Sequence, residues 1–164
     1  MFPAILVLFV CAGVDDEPLH ISLPLAGLKL SDIHDTFDQV RGGTRKHEAT
    51  DIMSPRGTPV LAVNDGKIVK LFLSKPGGNT IYQFDPSEQY CYYYAHLDRY
   101  APGIAEGIAV HRGDVIAFVG STGNADPSTP HLHFEIHRLD AEKHWYRGTS
   151  VNPYQYLVTA LHDH

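Results

Sequence analysis

Short apolar runs, broken at glycine, proline or asparagine, dominate this chain. Pro59-Val60-Leu61-Ala62-Val63, Lys67 to Phe72, Thr80 to Phe84, Tyr90 to His96, Val115 to Val119 and His131 to Ile136 each have the length and β-branched or aromatic content of a strand. Asn64-Asp65-Gly66 lies between the first two runs, and an Asp-Gly in that setting predicts a hairpin. Pro76-Gly77-Gly78-Asn79 and Asp85-Pro86-Ser87 mark the next turns, and Gly120 to Asn124 leads through Pro127 and Pro130 to the His131 run. Helical signals are few. One covers residues 31–40, with Ser31 or Asp32 as cap and Gly42-Gly43 ending it; the other covers 151–161, opened by Asn152-Pro153. The pattern predicts a mainly β, antiparallel domain with few short helices over residues 15–164.

Met1 to Val14 departs from this pattern. The run is apolar and uncharged, and Asp15-Asp16-Glu17 follows it abruptly. A helix crossing a bilayer takes about 20 residues, so this run is too short to span one. It suits the apolar core of an export leader, with Ala12 and Gly13 near the cleavage point. A leader over 1–14 and a periplasmic or secreted location are therefore expected. The competing reading is a buried first strand, since no Lys or Arg precedes Lys29. Membrane association would require lipidation of Cys11, and Val10 is large for the residue before a lipoprotein cysteine. Two cysteines make no disulfide framework, and Cys91 between two tyrosines reads as a small buried hydrophobe.

A chain of 164 residues is long enough for a hydrophobic core without covalent staples. Its net charge of −6, with no Lys/Arg cluster, speaks against nucleic acid as partner. Candidate chemistry rests on histidine. In His131-Leu132-His133 the two imidazoles lie two apart on a strand and share a face. His47 and Asp51 form a second pair, and His96 stands in Tyr94-Ala95-His96-Leu97. Taken singly, these fit a surface loop, a half-buried strand face and a hydrogen-bonded core residue. Together they suggest a mononuclear zinc hydrolase: catalytic zinc takes three nitrogen or oxygen ligands and keeps a fourth position for water.

The same residues, with their flanks, resemble the lysostaphin-type zinc metallopeptidases, a family of peptidoglycan endopeptidases. His47-Glu48-Ala49-Thr50-Asp51 with Gly57-Thr58-Pro59-Val60 matches the first motif, and Ala62 to Gly66 matches an Ala-x-x-Asp-Gly hairpin. Tyr94 to Leu97 matches Tyr-x-His-Leu, and His131-Leu132-His133-Phe134-Glu135 matches His-Leu-His-Phe-Glu. Gly113-Asp114, Gly120 to Gly123 and Val151-Asn152-Pro153 fall in the family's order. The resemblance implies an antiparallel β-sheet groove with one Zn2+ held by His47, Asp51 and His133, and with His96 and His131 as unligated catalytic histidines. It implies cleavage of peptide cross-links or stem peptides by metal-activated water, and it leaves open which of His96 and His131 is the base. A non-catalytic regulator that activates other wall hydrolases is the alternative, although such regulators are expected to have lost ligand positions. The same hydrolysis of a non-wall peptide is a third.

Three features depart from the family pattern. Ala49 replaces a usual glycine, which is strained if that backbone needs φ > 0. The stretch from Leu139 to Gly148 is long and brings His144, Trp145 and Tyr146, read here as a longer hairpin in preference to a substrate-facing loop. No wall-binding extension is recognisable, so targeting falls to this domain or to a partner. Glu135, two residues from His133, is a candidate to orient a ligand imidazole. His20, His111 and His137 read as ordinary surface or strand histidines.

Overall fold

The computed structural model describes residues 19–163; the proposed leader over 1–14, with Cys11, lies outside them. Strands β1 (Val40–Arg41) and β2 (Arg45–Lys46) form a small ribbon. The main sheet holds β3 (Thr50–Met53), β4 (Pro59–Leu61), β5 (Gly66–Ser74), β6 (Gly78–Phe84), β7 (Tyr90–Tyr100), β8 (Ala109–Val110), β9 (Val115–Val119), β10 (His131–Leu139) and β11 (Gly148–Val151). Its main path runs β11-β10-β7-β6-β5-β8, with β3 on β10 and with β9 joining β4 to β7. Every pairing is antiparallel. The mainly β, antiparallel expectation therefore holds. No helix among the described residues is long and apolar enough to cross a membrane.

Strand β10 shows why the sheet has two unlike faces. Leu132, Phe134 and Ile136 are fully buried in the core, while His131, His133, Glu135 and His137 alternate with them on the opposite face. On β7, Tyr94 and Tyr92 stand opposite Phe134 and Ile136 and join the same core; Ala95 and Tyr93 stand opposite His133 and Glu135. Fully burying side chains of this size contributes roughly 1.5–3 kcal/mol each, so a one-residue slip of β10 would exchange its apolar set for four ionisable residues. The register that fixes the core also fixes the functional face.

Two expectations about elements fail. Residues 31–40 are not a helix: Leu30–Asp32 is a single 3-10 turn, and the chain then runs irregularly through a turn at Phe37-Asp38 to β1. Asp32 accepts from the Lys29 N–H and so caps only this one turn, while Asp35 accepts from the Phe37 N–H, a donor that a helix over 31–40 would need. The Asp65-Gly66 hairpin is also absent, because β4 pairs with β9 while β5 pairs with β6 and β8. The Leu61 and Ala62 N–H groups donate instead to Pro24 and Asp114 carbonyls. Gly66 has φ +152, and a Cβ there would run into the Phe84 carbonyl oxygen, so this glycine serves a close strand approach. The C-terminal helix forms as expected. Helix α1 (Pro153–His162) starts at Pro153, and the Asn152 side chain caps it by accepting from the Tyr154 N–H at 3.0 Å.

Candidate metal centre and cleft

The exposed face of β10 and the loop before β3 bring three donor atoms together. Asp51 stands directly opposite His133 in the β3–β10 register, so the two side chains share a face by construction. Asp51 Oδ1 lies 3.0 Å from His133 Nδ1 and 3.1 Å from His47 Nε2, and those two nitrogens are 3.2 Å apart. Ligands at about 2.0–2.1 Å on a tetrahedral ion are separated by about 3.3 Å, so this triangle has the size a zinc-like ion requires. His47, Asp51 and His133 could hold a metal ion.

The outer atoms of each ring fix which nitrogen is offered. His47 Nδ1 lies 3.1 Å from the Thr36 carbonyl, which can only accept. The hydrogen therefore sits on Nδ1, and Nε2 presents its lone pair to the centre. His133 is held the opposite way round: its Nε2 donates to Glu135 Oε1 at 2.7 Å, leaving Nδ1 inward. Glu135 Oε2 in turn lies 2.7 Å from His137 Nε2. Glu135 thus holds His133 in the manner its spacing suggested. His137, read as an ordinary strand histidine, is tied to the same carboxylate; nothing in its own flanks marks it.

Burial and charge compete at these groups. Burial alone would raise the Asp51 pKa, but hydrogen bonds from His133 and His47 outweigh it and hold the carboxyl well below its usual range. Burial likewise opposes charge on His133, yet Asp51 and Glu135 together push this imidazole up to about 9. Glu135, buried as well, is lowered to about 2 by His133 and His137. The cluster is a place that favours positive charge, which is the electrostatic condition for a cation.

His96 and His131 complete the cleft. An unbroken β7 would face Ala95 and Leu97 towards the site and His96 into the core. The register against β6 slips here, between Tyr94 and Leu97, and His96 adopts φ 59; a second slip, against β9, follows between Leu97 and Arg99. The bulge at His96 resets the alternation, so that Leu97 is fully buried and the His96 ring lies 4.9 Å from His131 and 5.6 Å from His133. A left-handed non-glycine residue costs on the order of 1–3 kcal/mol, strain typical of functional positions. His96 Nδ1 donates to the Thr122 carbonyl at 2.8 Å and His131 Nδ1 to the Thr129 carbonyl at 2.9 Å. Both rings therefore keep Nε2 with a free lone pair, and His131 Nε2 lies 3.9 Å from Asp51 Oδ1. Burial pushes His96 down to about 4, so it is neutral at ordinary pH.

The cleft, of about 300 Å3, is also lined by Arg41, Arg45, Asn124 and Thr129. Arg41 Nη2 binds Asp51 Oδ2 at 2.8 Å, a contact with no signal in the linear sequence. The backbone strain anticipated at Ala49 lies one residue earlier: Glu48 has φ 58, whereas Ala49 is fully buried. Beyond the donors, aromatic rings continue along the same face. Tyr93 lies 6.0 Å from His133, Tyr82 4.6 Å from Tyr93, and Trp145 4.6 Å edge-on to Tyr82. The long connection before β11 is thus folded onto the groove side of the sheet. Cys91 is buried, as expected.

The antiparallel sheet thus has two histidines and an aspartate that could hold a metal ion on its open side, flanked by two further histidines. Residues 45–153 match Peptidase family M23, and the chain belongs to that family. It is 36% identical over 121 residues to the L-Ala--D-Glu endopeptidase of Bacillus subtilis, covering 71% of this chain and 36% of that relative. It is 32% identical over 123 residues to the murein hydrolase activator NlpD of Escherichia coli, covering 75% of this chain and 28% of NlpD. The chain therefore spans about a third of the length of these curated relatives. Among solved structures, the catalytic domain of lysostaphin from Staphylococcus simulans aligns with TM-score 0.65 and 29% identity, over 79% of this chain and 95% of that domain.

Proposed function

We propose that this chain is a zinc-dependent endopeptidase that hydrolyses cross-links or stem peptides of bacterial peptidoglycan in the cell envelope, in the periplasm or after secretion. The observation that carries this reading is the donor triangle of His47 Nε2, Asp51 Oδ1 and His133 Nδ1, with sides of 3.0–3.2 Å. One Zn2+ per chain suits this nitrogen and carboxylate set. When bound, the ion supplies a Lewis acid for the scissile carbonyl and lowers the pKa of water. His47 and His133 are locked by Thr36 and Glu135 in the tautomers that offer these nitrogens. His96 and His131 each offer a free Nε2 to the cleft, where one accepts the proton of the attacking water and returns it to the leaving amine. The other, in its imidazolium form, donates from Nε2 to the oxyanion of the tetrahedral intermediate.

The likeness to NlpD supports a second reading, a non-catalytic protein that activates another wall hydrolase. A regulator has no need of five converging side chains, so the endopeptidase reading is preferred. Zinc-loaded wild type, His96→Ala and His131→Ala should be compared on purified peptidoglycan, with zinc content measured in each. Both variants are expected to keep zinc and to lose at least about 100-fold in turnover. Variants as active as wild type would refute the assigned roles. Uncut peptidoglycan with every protein, together with stimulation of a second hydrolase, would establish the regulator.

A further inference from the structure

The cleft carries a positive charge that none of these roles uses. Arg41 and Arg45 stand directly opposite in the β1–β2 ribbon, so both side chains leave it on one face, and both line the cleft beside the donors. The other opposed pair is Val40 and Lys46, and Lys46 binds Asp38 at 2.6 Å. Like charges at directly opposed positions work against strand pairing, so the arginine pair is costly unless something anionic offsets it. Asp51 Oδ2 offsets Arg41. Arg45 has no such partner: among the described residues no acceptor lies within hydrogen-bonding distance of its guanidinium.

The cleft's other carboxylates are already committed. Asp126 accepts from Ser128 N at 2.8 Å and Ser128 Oγ at 2.7 Å, and Glu135 is held between His133 and His137. Arg45 also borders the adjoining hollow with Tyr93, Ala95 and Asn124, which puts it where the two parts of the groove meet at the donor cluster. We propose that Arg45, backed by Arg41, is a carboxylate-binding subsite that selects peptides with a free carboxylate close to the bond held at the donors. The proposal rests on the peptide-substrate reading above and narrows that substrate to an anionic class. A guanidinium offers a planar fork that matches a carboxylate through two parallel hydrogen bonds. Because the chain is acidic overall, with net charge −6, a cationic spot inside the cleft gives an anionic peptide one favourable place to dock.

The test is calorimetric binding of synthetic stem peptides in which each carboxylate in turn is converted to the amide. It is run with zinc-loaded protein in a His131→Ala background, so that the peptides stay intact. One amide form should bind at least tenfold more weakly than the free acid. Arg45→Gln should weaken the free acid by a similar factor and bind acid and amide alike, while Arg45→Lys, a cation without the fork, should restore part of the difference. Equal binding of every amide form and the free acid would overturn the proposal, as would discrimination that survives Arg45→Gln. Discrimination by a protein whose wild type cuts nothing would support the subsite while refuting the endopeptidase reading.

Discussion

At the scale of single residues, function depends on which atoms meet at the donor cluster and what holds them there. Asp51→Ala removes one donor and the contact that offsets Arg41. Bound zinc, measured by plasma mass spectrometry after dialysis, is expected to fall from about one per chain to a small fraction, and full occupancy would refute the ligand assignment. Glu135→Gln keeps a side chain of the same size but takes away the charge that fixes the His133 tautomer. Zinc affinity should drop roughly 10–100-fold, the usual cost of losing such a partner, as read by competition with a chromogenic chelator. Arg45→Gln should leave zinc affinity unchanged, because Arg45 touches no donor. Strand alternation pointed to His131 and His133 as one face, while His47, Asp51 and His96 stood out in the sequence only through motif order. Thr36, Arg41, Arg45 and His137 did not. They act through partners 2 to 15 positions away or across a ribbon, and no local pattern records such a contact.

At the scale of elements, the strands could be read with some fidelity and their partners could not. Alternation in β10 predicted both a core face and a histidine face, and Asn152-Pro153 marked the start of α1. The same logic misplaced Asp65-Gly66, since an Asp-Gly step reports a sharp reversal but not which strand receives the chain. Its glycine answers to the Phe84 backbone instead, so Gly66→Ala should destabilise the fold by more than about 2 kcal/mol and lower Tm by at least about 4 °C. An unchanged melting curve would show that β5 and β6 can separate at that point. The stretch over 31–40 misled for a related reason: Asp32 caps a single 3-10 turn, and Asp35 then takes the Phe37 N–H that a longer helix would need. The bulge at His96 was also invisible in sequence. Plain alternation would bury His96, and only the register slip against β6 turns it towards the cleft.

At the scale of the whole molecule, one sheet separates two tasks. Its inner face holds Tyr92, Tyr94, Phe134 and the aliphatic core; its outer face carries Asp51, His133 and the aromatic row that ends at Trp145, with His47 and the paired arginines of the separate ribbon beside it. Because the same register sets both faces, stability and site geometry are coupled. Phe134→Ala, which empties a fully buried position next to His133, should cost about 3–5 kcal/mol and weaken zinc binding with it. The chain corresponds to about a third of the endopeptidase and activator relatives it matches, so its substrate has to be established on this chain itself. The decisive measurement is mass spectrometry of intact peptidoglycan incubated with the zinc-loaded chain, with and without chelator. New peptide termini are expected that disappear with chelator and return when zinc is restored. Unaltered peptidoglycan after incubation with folded, zinc-bound protein would contradict the endopeptidase reading.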